Sequence, residues 1–297
     1  FDVFAQYDWM VSDKVELVGA LRYDYFSDGS QSNLTPKLNL RYRPTSRLTM
    51  RAGYGMGFRA PTLKEKYYNF DMAGIWIVEG NKDLKSELSH NFNLSAEYIH
   101  GHYDFTASVY YNFVHNKLAT AAPYFKTATD KLPYLPYANL DNYSVCGGEI
   151  GAQARWDNGL SARITYAYTK EHLPKDKEGN TINNQYIPSR EHALNVRADY
   201  DHRFSKNYAL SLGINGRVMS GTSNVEYKNY YDVNEGTIKV DYPAYTMWKL
   251  SATHNIGKAI KLTTALDNLF NYRPKYYYLN CPLTDGINFQ VGVSIDI

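Results

Sequence analysis

The stretch of sequence that decides the fold is residues 287–297, Ile-Asn-Phe-Gln-Val-Gly-Val-Ser-Ile-Asp-Ile. Every second residue is apolar, and the residues between them are small, polar or charged. Successive side chains of a strand point to opposite faces, so this pattern predicts a β-strand with one apolar and one polar face. The same alternation appears in residues 48–58, 103–109 and 208–215, and no segment of similar length follows a helical period.

The alternation continues along the chain and predicts about thirteen strands. These strands cover residues 1–12, 14–26, 34–44, 48–58, 88–99, 103–118, 139–156, 160–172, 189–202, 207–220, 242–255, 259–272 and 287–297. Short turns near 12–13, 45–47, 101–102, 157–159, 204–206 and 257–258 alternate with long loops at 27–33, 59–87, 119–138, 173–188, 221–241 and 273–286. A soluble sandwich has no reason to keep its long loops at one end, whereas a bacterial outer-membrane barrel does.

The composition agrees with strands that cross a membrane. Tyrosine occurs 29 times among the 297 residues, and aromatic rings are abundant at both lipid interfaces of transmembrane barrels. No run approaches the roughly 18 to 20 apolar residues that a spanning helix requires. Lipid cannot satisfy backbone N–H and C=O groups, so a spanning sheet must close on itself. The sequence therefore predicts an all-β fold, an antiparallel transmembrane β-barrel.

An odd number of strands does not suit a complete single-chain bacterial barrel, so we expect the chain to be the second part of a larger one. The net charge of +2 gives no indication of a nucleic-acid partner. Two cysteines, Cys146 and Cys281, do not define a disulfide framework or a metal site, and whether they pair is left open. The sequence contains no hydrolase or phosphate-binding motif, so we predict no enzyme activity and no catalytic residues.

Three motifs resemble those of the TonB-dependent receptors. Residues 55–63, Gly-Met-Gly-Phe-Arg-Ala-Pro-Thr-Leu, look like the FRAP box of that family. Residues 80–87, Gly-Asn-Lys-Asp-Leu-Lys-Ser-Glu, look like its NPDLKPE box, with Lys82 and Ser86 in place of two prolines. Residues 267–271, Asp-Asn-Leu-Phe-Asn, resemble the NLFD segment near the receptor C terminus. The residues that match these boxes are Phe58, Arg59, Ala60, Pro61, Asn81, Asp83, Leu84, Asn268, Leu269 and Phe270.

This resemblance covers the whole chain, residues 1–297, and implies a 22-stranded barrel in the outer membrane of a Gram-negative bacterium. The chain would be a single domain that supplies about the last thirteen strands, with the plug domain absent from it. The family imports iron–siderophore, haem or cobalamin complexes with energy from the TonB complex. The implied partners are outer-membrane lipid, TonB through an upstream segment, and the metal-chelate, haem or cobalamin ligand. A surface lipoprotein is a further partner; no resident cofactor or metal is implied.

We expect the ligand to contact the loop that covers residues 59–87. Its candidate ligand-binding residues are Arg59, Tyr67, Tyr68, Met72 and Trp76, because aromatic rings with nearby cations suit a flat or anionic complex. The alternatives are that Arg59 and Pro61 shape the strand exit inside the barrel, and that the aromatic residues pack within the loop. No histidine lies between residues 59 and 84, which weighs against haem because imidazole is its usual axial ligand.

The expected function is therefore active uptake across the outer membrane. The main alternative is a non-transporting structural or adhesive barrel fragment, and an outer-membrane hydrolase is a third hypothesis. The two neighbouring boxes disfavour a diffusive porin. The identity of the cargo is left open.

Overall fold

A computed structural model describes residues 1–26, 32–140, 143–173, 189–275 and 281–295 of the chain. Within these ranges, one antiparallel sheet of thirteen strands forms a partial barrel wall, and smaller elements lie in three of the long loops. Among the described residues, no helix is long and apolar enough to cross a membrane.

The thirteen strands of the large sheet pair in chain order, each with the next, which is the simplest antiparallel topology. They are β1 (Asp2–Ser12), β2 (Val15–Asp24), β3 (Asn33–Tyr42), β4 (Leu48–Arg59), β7 (Glu87–His100), β8 (Tyr103–His115), β11 (Tyr143–Arg155), β12 (Leu160–His172), β13 (His192–Ser205), β14 (Tyr208–Met219), β17 (Tyr245–Ile256), β18 (Ile260–Asp267) and β19 (Asn288–Ile295). All thirteen predicted strands are confirmed, with ends that differ by a few residues. Parts of the loops at 27–33, 173–188 and 273–286, and residues 296–297, lie outside the described ranges.

The sheet separates apolar and polar side chains onto opposite faces. One cross-strand row on β3, β4, β7 and β8 is wholly apolar and consists of Leu40, Ala52, Leu94 and Val109. The next row faces the other side and consists of Arg41, Arg51, Ser95, Ser108 and Glu149. The apolar row is exposed, with 56% of Val109 accessible, so this face is not a buried core. We call these two surfaces the apolar face and the polar face.

The long loops contain secondary structure that the alternation did not predict. These elements are the helix α1 (Leu63–Tyr67), the strands β5 (Asn69–Met72), β6 (Trp76–Glu79), β9 (Lys117–Thr120) and β10 (Tyr134–Leu140), the hairpin strands β15 (Thr222–Tyr227) and β16 (Thr237–Tyr242), and a single 3-10 turn (Val233–Glu235). Strands β5, β6, β10 and β9 form, in that order, a four-stranded sheet that we call the loop sheet.

The loop sheet holds together because it has its own small core. Strand β6 pairs parallel with β10, so it joins two loops that are far apart in sequence. Trp76, Val78 and Leu135 are buried together, and Phe70 packs against them. Burial of such side chains contributes about 1.5 to 3 kcal/mol each, which stabilises strands too short to persist alone.

Candidate ligand-capture site

Arg59, the last residue of β4, fastens the loop sheet to the large sheet. Its Nη1 donates hydrogen bonds to both carboxylate oxygens of Glu65, at 3.0 and 3.2 Å. Its Nη2 donates to the carbonyl oxygen of Leu118 at 3.3 Å and lies 3.8 Å from a Glu87 oxygen. The guanidinium fork therefore joins the end of β4, helix α1, β9 and the start of β7.

Glu65 is the acceptor at the centre of this arrangement, which we call the Arg59–Glu65 clamp. It forms a capping box with Thr62, whose backbone N–H and hydroxyl donate to Glu65 Oε2 at 2.7 and 2.9 Å. Burial raises the pKa of the Glu65 carboxyl, but the hydrogen bonds from Thr62 and Arg59 outweigh it and bring the pKa below its usual value. Glu65 therefore carries a negative charge at neutral pH, fully engaged by its neighbours.

Residues 80–87, which resemble the second family box, are attached to the same point. The backbone N–H of Asn81 donates to the carbonyl oxygen of Glu65 at 2.9 Å, and its side-chain amide donates to the carbonyl oxygen of Tyr137 at 3.1 Å. The Asn81 side-chain oxygen accepts from the backbone N–H of Asp83 at 2.9 Å, and Leu84 is buried. The two boxes, about twenty residues apart in sequence, therefore meet at α1.

The five predicted ligand residues fall into two groups. Tyr67, Tyr68 and Met72 are exposed, at 53%, 62% and 44% of their surface. Trp76 is 5% exposed in the core of the loop sheet, and its Nε1 donates to the carbonyl oxygen of Tyr230 in the β15–β16 hairpin at 3.0 Å. Arg59 is occupied by the clamp. The exposed group is therefore free to meet a ligand, whereas Trp76 and Arg59 support the loops.

A cation that the sequence did not single out accompanies the exposed tyrosines. The Lys82 ammonium lies 5.9 Å from the centroid of the Tyr67 ring, within the range of a cation–π contact. We call Tyr67, Tyr68, Met72 and Lys82 the capture surface. Glu65, which supports this surface, was also not predicted from the sequence, although Thr62-x-x-Glu65 fits the capping-box pattern.

The remaining box residues have packing and turn roles. The Phe58 ring meets the Phe26 ring edge-on at 5.7 Å, Ala60 is partly buried and Pro61 is buried. Asn268 is buried at the end of β18, where its side chain donates to Tyr272 and Thr284 and accepts from the backbone of Tyr272. Leu269 donates its backbone N–H to the Trp248 carbonyl oxygen, and Phe270 meets the Trp248 ring edge-on.

The polar face carries a row of charges across β12 to β18. Arg163, Arg197, Asn215, Lys249 and Asp267 are paired in register along this row. Arg163 and Arg197 lie directly opposite each other on neighbouring strands. Two like charges in this position destabilise a sheet unless an anion is near. Asp199 supplies one, since its Oδ2 lies 2.5 Å from Arg197 Nε. This row lines a groove of about 520 Å³ on the polar face.

The described residues contain no group of three or more His, Cys, Asp or Glu side chains that could hold a metal ion. Cys146 and Cys281 are both free thiols. The pairing that the sequence left open is therefore not made in this structure.

Comparison with known proteins agrees with this architecture. The model of the family described as "TonB dependent receptor-like, beta-barrel" matches residues 1–269. The chain is 22% identical to an iron-regulated outer membrane virulence protein of Vibrio cholerae over 98% of the chain and 44% of that protein. It is 25% identical to a vitamin B12 transporter of Photobacterium profundum over 85% of the chain and 36% of that protein.

Solved structures show the same fold. The ferric enterobactin receptor of Pseudomonas aeruginosa in complex with enterobactin matches with a TM-score of 0.76 and 20% identity, over 99% of this chain and 45% of that one. The chain thus spans less than half the length of the relatives it matches. The Vibrio cholerae relative is named as an outer-membrane protein. With the family match, this chain is likewise assigned to the outer membrane of a Gram-negative bacterium. On the family match and the thirteen-stranded wall together, the chain belongs to the β-barrel family of the TonB-dependent receptors.

Proposed function

We propose that this chain forms part of an active-transport receptor that takes up an iron–siderophore, haem or cobalamin complex with energy from the TonB system. In this proposal the apolar face contacts outer-membrane lipid and the polar face lines the lumen. The observation that best supports this proposal is the exposed cation–aromatic surface that the clamp and the loop sheet hold at the long-loop end. The wall below it has a charged polar face.

The physical basis is selective capture followed by passage along a hydrophilic wall. Exposed tyrosine rings bind flat or aromatic ligands by stacking, and a nearby ammonium favours anionic ones. The Arg59 guanidinium is hydrogen-bonded to Glu65 and to the Leu118 carbonyl oxygen although 43% of the side chain is exposed, so Arg59 is not the first contact in this proposal. The first contacts for the cargo are the exposed residues Tyr67, Tyr68 and Lys82. Binding would then require no rearrangement of the loop-sheet core.

The test is uptake by cells that make the receptor, with and without a functional TonB system. Growth on haem or on ferric siderophores as the iron source, and cobalamin-dependent growth, cover the three cargo classes. We expect TonB-dependent growth on one of them, and a weaker affinity for that cargo, by about tenfold, in a Tyr67→Ala/Tyr68→Ala variant. Tyr231→Ala removes an equally exposed tyrosine from the β15–β16 hairpin and serves as the matched control.

Failure on all three cargo classes would contradict the transport proposal and favour the structural or adhesive barrel. An equal loss of affinity in the Tyr231→Ala control would contradict the role of the capture surface but not the transport proposal.

A further inference from the structure

The apolar face contains a groove that spans β13, β14, β17 and β18. Its volume is about 490 Å³. Small side chains form its floor, namely Ala198, Ala252 and Thr264, and larger ones form its walls, namely Leu212, Ile214, Leu250, Leu266 and Phe289. The one acidic residue among the lining, Asp199, directs its carboxylate to Arg197 on the polar face. The accessible surface of the groove is therefore almost wholly hydrocarbon.

An aromatic and histidine band lies between this groove and the short turns. The Tyr208 hydroxyl and His254 Nδ1 are hydrogen-bonded at 2.9 Å, and the Tyr200 and His202 rings stack at 5.8 Å. The Phe204 ring continues the band, 4.5 Å from His202. Rings that combine an apolar body with a polar atom mark the level at which lipid chains give way to headgroups.

Two exposed lysines lie just beyond the band. Lys206 is in the β13–β14 turn and Lys258 in the β17–β18 turn, and the backbone N–H of Gly257 donates to the carbonyl oxygen of Asn207 at 2.7 Å. The two turns are thus neighbours. Among the described residues, neither lysine has a carboxylate within ion-pair distance. A hydrocarbon groove, an interfacial band and two unmatched cations therefore follow one another along a single direction.

We propose that this surface is a binding site for one anionic phospholipid. An acyl chain lies in the groove between Leu212 and Phe289, and the headgroup phosphate lies at Lys206 and Lys258. A cation at the membrane surface attracts anionic lipid, and buried methylene groups add the apolar part of the affinity. A free phosphate ion would bind only to the two lysines, and a neutral lipid would bind only in the groove. This inference depends on the membrane location and is independent of any cargo.

The test is native mass spectrometry of the receptor, as the cell makes it, released from vesicles of phosphatidylethanolamine and phosphatidylglycerol. We expect a retained phosphatidylglycerol adduct whose occupancy falls roughly 10- to 30-fold in Lys206→Gln/Lys258→Gln. Ala252→Leu fills the groove floor with a residue that suits the lipid face, and it should reduce adducts of both lipids. Lys131→Gln/Lys228→Gln, which removes two exposed lysines at the long-loop end, is the matched control and should change nothing.

Retention of phosphatidylglycerol by Lys206→Gln/Lys258→Gln at the level of the parent protein would overturn the proposal. Equal loss in the control pair, or displacement of the adduct by inorganic phosphate alone, would overturn it as well. If Ala252→Leu fails to reach the membrane, the lysine pair still decides the question. Cargo uptake is a separate measurement, so a failed transport assay leaves this result unaffected.

Discussion

At the scale of single residues, the geometry of Arg59 explains why an arginine occupies this position. Its planar guanidinium reaches both oxygens of Glu65 and also the carbonyl oxygen of Leu118. A lysine ammonium is a compact charge on a flexible stem and cannot make this set of bonds in one position. Arg59, in the stretch that resembles the first family box, thus connects the loop sheet to the large sheet.

We therefore expect Arg59→Lys to lower the free energy of local opening of the loop sheet by about 1 to 3 kcal/mol, because Glu65 and Leu118 lose charge-assisted hydrogen bonds. Hydrogen exchange of residues 60–86 measures the effect. Arg51→Lys is the matched control, since among the described residues Arg51 has one ion pair, with Glu97 on the neighbouring strand at 3.6 Å, and it contacts no loop residue. Such an exposed pair contributes about 0 to 1 kcal/mol. Similar exchange in both variants would contradict the role given to Arg59.

The ionisation of Glu65 makes the same joint sensitive to acid. Its pKa is lower in the folded protein, so its contribution to stability is complete above the unfolded value and is lost as pH falls through the folded one. We expect the protection factors of residues 60–86, which correct for the slowing of intrinsic amide exchange in acid, to fall selectively below about pH 4.5. Glu65→Gln should abolish this pH dependence while leaving protection low throughout. If Glu65→Gln kept the same acid transition, other carboxylates would be responsible for that transition.

At the scale of elements, the loop sheet is positioned by a close backbone approach. A Cβ atom at Gly80 would lie 2.9 Å from the backbone nitrogens of both Tyr67 and Tyr68. Real Cβ atoms do not tolerate such contacts with backbone, so only glycine lets the second box pack against the end of α1. The position of the capture surface therefore depends on a residue with no side chain.

Gly80→Ala should displace the backbone of residues 67–68 at a local cost of about 1 to 3 kcal/mol, the usual range for overpacking. We expect weaker binding of the cargo with unchanged amounts of receptor in the membrane. Gly55→Ala is the control, because its added Cβ would meet only Lys37 Cγ, at an ordinary 3.9 Å. Full affinity in Gly80→Ala would show that the tyrosines do not depend on this packing.

At the scale of the whole molecule, the two faces of the wall favour opposite kinds of side chain, apolar and polar, at adjacent positions of one strand. Val109 belongs to the exposed apolar row and Ser108 to the polar row, although they are adjacent on β8. A charged side chain on the lipid face near the middle of a bilayer costs about 2 to 4 kcal/mol, whereas the lumen solvates it.

Val109→Lys should therefore destabilise the folded receptor in a bilayer by about 2 to 4 kcal/mol, and Ser108→Lys should have little effect. Urea titration in lipid vesicles measures both. Equal destabilisation by the two substitutions would argue against a lipid-facing and a lumen-facing side.

How much of this could be predicted from the sequence depends on the range of the interactions involved. The thirteen strands and their two faces are legible because alternate side chains of a strand point to opposite faces, one apolar and one polar, which leaves a period of two in residues 287–297 and 48–58. That constraint acts on every residue of every strand independently. It needs no knowledge of which strand is the neighbour.

The loop sheet could not be predicted because its stability comes from contacts between distant residues. Strands β5, β6 and β9 have four residues each, too few for a periodic signal, and β6 pairs with β10 across more than fifty intervening residues. From the sequence, Trp76 is either a ligand contact or a residue that packs within the loop, and in the structure it is buried because Val78 and Leu135 pack beside it. Which aromatic residues remain exposed for a ligand is therefore decided by tertiary packing, where burial depends on partners that local sequence does not reveal.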